Sequence, residues 1–153
     1  MGVEIERKFL LRGDAWRALG TPVLLRQGYL SSTRARVVRV RIEADQARLT
    51  IKGPNAGTRR GEWEYPIPLA DADDLLALCE QPLIEKYRRR IDHAGLVWEV
   101  DEFLGANQGL LVAEVELTSS DQHVDLPDWI GEEVSDDARY FNANLIRHPY
   151  SQW

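Results

Sequence analysis

Residues 3–9 read Val3-Glu4-Ile5-Glu6-Arg7-Lys8-Phe9, an alternation of apolar and charged side chains interrupted at Arg7. A period of two is strand periodicity, because residues i and i+2 share a face. One face of this segment therefore carries Glu4, Glu6 and Lys8. The pattern recurs in Val38-Arg39-Val40-Arg41-Ile42, Leu49-Thr50-Ile51-Lys52, Glu62-Trp63-Glu64-Tyr65 and Ala113-Glu114-Val115-Glu116-Leu117. Turn-forming stretches separate the runs: Ala44-Asp45-Gln46, Gly53-Pro54-Asn55, His93-Ala94-Gly95 and Gly105-Ala106-Asn107. These signals predict eight strands near 3–11, 23–31, 36–43, 47–53, 59–68, 83–92, 96–103 and 110–118. The gaps between them suit antiparallel hairpins.

Helices are few. Residues 71–79 read as one, with Asp71 as its cap and acids in the first turn. A short turn is expected at Asp14. The tail from Ser135 to Ile146 reads as a second helix, capped by Ser135 or Asp136, with Tyr140, Leu145 and Ile146 as its apolar positions. The fold class expected is α+β, mainly β, in a single domain over residues 1–153.

Composition narrows the function. Hydrophobic residues at 44% and charged residues at 29% exclude a disordered or low-complexity chain. A net charge of −6 counts against a strongly basic nucleic-acid binder. One cysteine, Cys79, excludes an internal disulfide and a thiolate metal cluster, and suits a reducing compartment. No apolar run approaches the ~20 residues of a membrane span, and no signal peptide is visible, so a cytoplasmic protein without membrane partners is expected. His93, His123 and His148 have no metal-ligand spacing. Trp63, Trp98, Trp129 and Trp153 read as packing residues rather than a platform for bases. No P-loop and no Gly-x-Ser-x-Gly elbow occurs.

The charged face is the unusual feature. An ordinary solvated sheet face mixes Thr, Ser, Lys and Gln, whereas here Glu, Arg and Lys come in doublets. Three Glu-x-Glu doublets are present, against about one expected by chance. Like charges two apart on one strand repel, so a sheet selected for stability alone would interleave signs. Eight strands are enough to close a barrel and turn this face inward, where concentrated charge is costly without an ionic ligand. Carboxylate doublets offer hard oxygen ligands to Mg²⁺ or Mn²⁺. Arg39-x-Arg41, with Lys52, Lys86, Arg88 and Arg90, offers forks and point charges to a polyanion. Together they are the components of phosphoryl transfer.

This order of motifs resembles the CYTH superfamily, also called triphosphate tunnel metalloenzymes. The resemblance begins at Glu4-x-Glu6-x-Lys8 and continues through Gln27-Gly28-Tyr29-Leu30, Arg39-x-Arg41, Thr50-x-Lys52 and Glu62-x-Glu64. It extends through Lys86-x-Arg88, Trp98-Glu99-Val100-Asp101 and Ala113-Glu114-Val115-Glu116-Leu117 to Glu133-Val134-Ser135 and Tyr140-x-Asn142. It covers essentially the whole chain. Tyr87 and Ser135 stand where the family often has Thr.

The resemblance implies a closed eight-stranded antiparallel β-barrel with a few peripheral helices, whose charged tunnel binds a triphosphate. Carried over residue by residue, Lys8, Arg39, Arg41, Lys52, Lys86 and Arg88 would bind the phosphates. Glu4, Glu6, Glu62, Glu64, Glu114 and Glu116 would hold one or two Mg²⁺ or Mn²⁺ ions and orient water. The catalytic group would be Lys8, Tyr29, Lys52 and Asp101, with Asp101 either ligating metal or orienting a cation and Tyr29 contacting substrate or assisting protonation. The expected activity is metal-dependent hydrolysis of a small-molecule triphosphate, first of all inorganic tripolyphosphate, to pyrophosphate and phosphate. Nucleoside or thiamine triphosphatase, adenylyl cyclase and a non-enzymatic polyphosphate-binding module are the alternatives. Oligomeric state is not legible, and a homodimer stays open.

Overall fold

The computed structural model describes residues 2–153. Its nine strands are β1 (Gly2–Leu11), β2 (Val23–Thr33), β3 (Arg36–Glu43), β4 (Gln46–Lys52), β5 (Arg59–Ile67), β6 (Ile84–His93), β7 (Leu96–Phe103), β8 (Leu111–Glu116) and β9 (Ile130–Glu133). They lie in the order β5-β4-β3-β2-β6-β7-β8-β1-β9, all pairs antiparallel, and β1 also pairs with β5. β1 closes the barrel by serving different neighbours along its length. Gly2–Ile5 pairs with β5, Glu6–Phe9 with β8, and Phe9 and Leu11 with β9. The expected closed eight-stranded barrel is present, with one extra strand at its side.

Because the charged face turns inward, the apolar face turns outward and needs its own cover. Helix α1 (Leu69–Leu78) lays Ala72 and Leu76, with Cys79 beyond it, over Val40 and Ala47 of β3 and β4. Gly28 on β2 makes this approach feasible, since a Cβ there would meet Cys79 Cβ and Leu83 Cδ2 at 2.7 Å. On another side, Trp16 from the short turn Ala15–Ala18 packs with Phe9, Trp98 and Trp129. Trp98 lies edge-on to both Phe9 and Trp129, at 5.5 and 6.0 Å between ring centroids.

A third apolar cluster plugs one end of the tunnel. Tyr29, Val37, Phe103 and Val112 share parity with the inward residues Gln27, Arg39, Asp101 and Glu114, so beyond the charged band the inner face turns apolar. They are buried together with Val134, Tyr140, Leu145 and Ile146 of the tail.

Three expectations about the peripheral elements are corrected. Helix α1 begins two residues before Asp71, with Pro68 at its cap position and no side-chain cap. Asp71 instead lies in the first turn, where its charge suits the helix dipole. The tail is not one helix from Ser135. Asp137 caps a 3-10 turn, Ala138–Tyr140; Phe141 is extended, and only then does α2 (Asn142–Arg147) begin. Ser135 is diverted from capping because its hydroxyl accepts the Lys8 amide of β1 at 2.9 Å. Strand β9 has no counterpart among the predicted strands.

Candidate active site

The barrel interior is a cavity of about 730 Å³. The predicted residues Glu4, Glu6, Lys8, Tyr29, Arg39, Arg41 and Lys52 line it, as do Glu62, Glu64, Lys86, Arg88, Glu114 and Glu116. Strand parity brings them together, since each doublet contributes two side chains to one wall. Asp101 differs. It faces inward too but is fully buried rather than lining the open space, and it takes two 2.8 Å hydrogen bonds from Arg88 and lies 2.7 Å from Lys86 Nζ. Of its two expected roles, this position fits the orientation of cations.

Several of the charges are paired across the wall, cation to carboxylate. Lys8 Nζ is 2.7 Å from Glu114 and 3.6 Å from Glu6. Lys52 Nζ donates to both oxygens of Glu4, at 3.0 and 2.8 Å, and lies 3.4 Å from Glu62. Glu64 accepts from Thr50 at 2.9 Å and is 3.5 Å from Arg39. Arg39 keeps a buried Nε without a partner among the described residues. Arg41 donates twice to the Gln27 side-chain oxygen, at 2.9 and 2.8 Å. Tyr29 accepts from Gln27 at 2.8 Å.

Proton affinities divide the carboxylates into two sets. Burial disfavours charge on Glu114, yet Lys8, Arg88 and Lys86 outweigh it and hold this carboxyl well below its usual range. Asp101 follows the same logic under Arg88 and Lys86 and is held at about 2. Glu6 goes the other way: burial and the nearby Glu114 push it up to about 7. Glu4 is raised mainly by burial, and Glu116 by burial and then by Glu4, Glu6 and Glu99. Among the cations, burial outweighs Asp101 and lowers Lys86 to about 7. Burial with Arg39 and Arg88 nearby lowers Arg41 to about 9.

Several wall residues were not singled out as site residues from sequence. Glu99 shares parity with Asp101 and accepts from Arg88 and Arg90, so the period-two rule could have found it. At the rim Glu43 accepts from Arg90, and Arg48 stands 3.9 Å from Glu64. Gln27 and Asn142 are uncharged, and no charge pattern points to them.

A family model described as the CYTH domain matches residues 2–150. The chain belongs to the CYTH family. Among its relatives, a protein of Acetivibrio thermocellus named inorganic triphosphatase is 48% identical over 154 residues, covering 100% of this chain and 99% of its own length. A Nitrosomonas europaea protein of the same name is 36% identical, covering 93% of this chain and 95% of its own. A crystal structure of an inorganic triphosphatase superposes with a TM-score of 0.65 at 34% identity, covering 93% of this chain and 96% of that one. The CYTH tunnel expected from the motifs is thus the fold observed.

Proposed function

We propose that this chain is a divalent-metal-dependent triphosphatase that hydrolyses inorganic tripolyphosphate to pyrophosphate and phosphate. The observation that carries the reading is the pair Arg39 and Arg41, two adjacent inward guanidiniums on β3. One has a buried donor without a partner, and the other is paired with an amide alone. Such cations are incompletely compensated in the empty protein and suit an oligophosphate. The names of the relatives support the same substrate.

The carboxylate chemistry fits a resident Mg²⁺ or Mn²⁺. Glu6 and Glu116 face each other on β1 and β8, and with Glu4 they are crowded enough to have raised proton affinity. Among the described residues no three acidic side chains already converge on one point, so the ion and the substrate phosphates would complete the site together. Glu4, Glu6 and Glu116 would hold the ion, with Glu62, Glu64 and Glu114 at the edges of the group. When bound, the ion supplies positive charge against the phosphate oxygens.

The remaining steps belong to side chains. Arg39, Arg41, Lys86 and Arg88 bind the oligophosphate and hold it in line. Lys8 and Lys52 stand between this cationic wall and the glutamates, placed to offset charge that develops at the phosphoanhydride being broken. A glutamate not engaged by the ion orients the attacking water. Asp101 positions Lys86 and Arg88 from behind. Tyr29, hydrogen-bonded to Gln27 at the plugged end, limits how far the chain of phosphates can enter.

The test is phosphate release from tripolyphosphate, ATP and thiamine triphosphate with Mg²⁺ or Mn²⁺. Tripolyphosphate is expected to be the preferred substrate, with no turnover in chelator. A clear preference for ATP would overturn the substrate assignment.

A further inference from the structure

Gln27 belongs to the Gln27-Gly28-Tyr29-Leu30 motif and Asn142 to Tyr140-x-Asn142, yet neither has a part in the reaction as set out above. Gln27 is fully buried on β2, opposite Arg41 of β3 in the ladder. Its Oε1 accepts from Arg41 Nε at 2.9 Å and from Nη2 at 2.8 Å. A guanidinium has donors only, so this contact settles which end of the amide is oxygen. The Nε2 end then donates to the Tyr29 hydroxyl at 2.8 Å and to Asn142 Oδ1 at 3.4 Å. Asn142, the first residue of α2, also accepts from Lys86 Nζ at 2.9 Å.

Two strands away the same construction appears with a charge in it. Asp101, equally buried, supports Arg88 from behind through two 2.8 Å hydrogen bonds. Support by a carboxylate neutralises the guanidinium, whereas support by an amide aims it and leaves it positive. Among the described residues no carboxylate lies within salt-bridge reach of Arg41. Its lowered proton affinity, caused by burial and by Arg39 and Arg88, agrees with a cation that has no counter-ion. A glutamate of nearly the same shape at position 27 would pair with Arg41 and stabilise the empty tunnel. An amide there makes sense if an anion is to complete the pair.

We propose that Gln27 is a positioning residue for substrate binding: its neutral amide, locked by Tyr29 and Asn142, aims Arg41 while reserving that charge for a phosphate oxygen. The proposal rests on the tripolyphosphate reading above. Asn142 extends the support to the tail, so α2 holds both Gln27 and Lys86 in register with the barrel.

The test is Gln27→Glu, compared with wild type by steady-state kinetics, by calorimetric titration with tripolyphosphate, and by melting without ligand. KM and Kd should rise about ten- to a hundredfold, the loss expected for one charge-assisted contact, with kcat falling less. The ligand-free melting temperature should rise at the same time. A Gln27 that merely fills space predicts the reverse, a lower melting temperature with unchanged KM, and either of those results overturns the proposal. Asn142→Asp, at the more accessible start of α2, should raise KM in the same direction by a smaller factor, and an unchanged KM there also counts against it. If wild type turns over tripolyphosphate while Gln27→Glu keeps its KM, this proposal fails alone. If wild type neither binds nor hydrolyses tripolyphosphate, the proposed function fails and takes this inference with it.

Discussion

Lys8 and Glu114 face each other across the β1–β8 ladder with Nζ 2.7 Å from Oε1, and one inward position along the same ladder Glu6 faces Glu116. An ion pair is thus followed directly by two like charges. The first pair holds the two strands together in the empty protein, and the second holds them under repulsion that a cation would relieve.

The two glutamates of one doublet should therefore respond oppositely to the same substitution. Glu114→Gln removes the partner of a buried lysine and should destabilise the ligand-free protein by about 1–3 kcal/mol. Glu116→Gln removes a repelling charge and should leave ligand-free stability equal or higher while metal-dependent turnover falls at least tenfold. Urea unfolding of both variants, with assays at varied metal concentration, checks the pair. Equal losses of stability would contradict the contrast between the ion pair and the like-charge pair.

The pH dependence of stability has a definite sign. Glu6 rises from 4.5 to about 7 on folding, so between those values the folded chain holds a proton that the unfolded chain has released. The stability this contributes is complete below about 4.5 and is lost as pH rises towards about 7. Glu4 and Glu116 shift in the same direction. Lys86, lowered to about 7, acts above that value, where the unfolded chain holds the extra proton and stability recovers with rising pH. The ligand-free melting temperature should accordingly dip near neutral pH. Glu6→Gln should shallow the acidic side of the dip, and Mg²⁺ or Mn²⁺ should do the same by taking the proton's place. Thermal melts across the pH range, with and without metal, measure this.

Ligand binding should relieve the same strain. A non-hydrolysable imido analogue of tripolyphosphate, given with metal at about a hundredfold excess over Kd, should stabilise the fold by about 2.7 kcal/mol. Calorimetric melting reads the shift, and a flat response would mean that the tunnel does not take up the oligophosphate.

Outside the tunnel, Gly28→Ala should disturb the packing of α1. The added methyl would stand 2.7 Å from both Cys79 Cβ and Leu83 Cδ2. A cost of about 1–3 kcal/mol is expected in urea unfolding, as for other overpacked contacts. Turnover at low temperature should change less than stability does.

What the sequence made legible follows from periodicity. Charged doublets such as Arg39-x-Arg41 and Glu62-x-Glu64 betray both the strand and the face, so the barrel and most of its wall could be read in advance. The tail could not, because its conformation is decided by contacts far away in the chain. Ser135 is drawn to the Lys8 amide instead of capping a helix. Strand β9 exists because Phe9 and Leu11 offer it a ladder, and its four residues carry no alternation of their own. Gln27 and Asn142 escaped notice as site residues because an amide leaves no mark in a charge pattern, although their neutrality is what distinguishes them from Asp101.

The chain has three lysines, Lys8, Lys52 and Lys86, and all of them line the tunnel. Its exterior is consequently furnished with arginine and has no lysine amine at all. Acylating dyes, amine-coupling resins and lysine-directed cross-linkers would find no lysine side chain on the outside of the described residues. Modification of a lysine would report on the interior, and a bound oligophosphate would shield those positions from it. The ordinary chemistry of protein labelling thus becomes, for this barrel, a direct readout of whether its tunnel is full or empty.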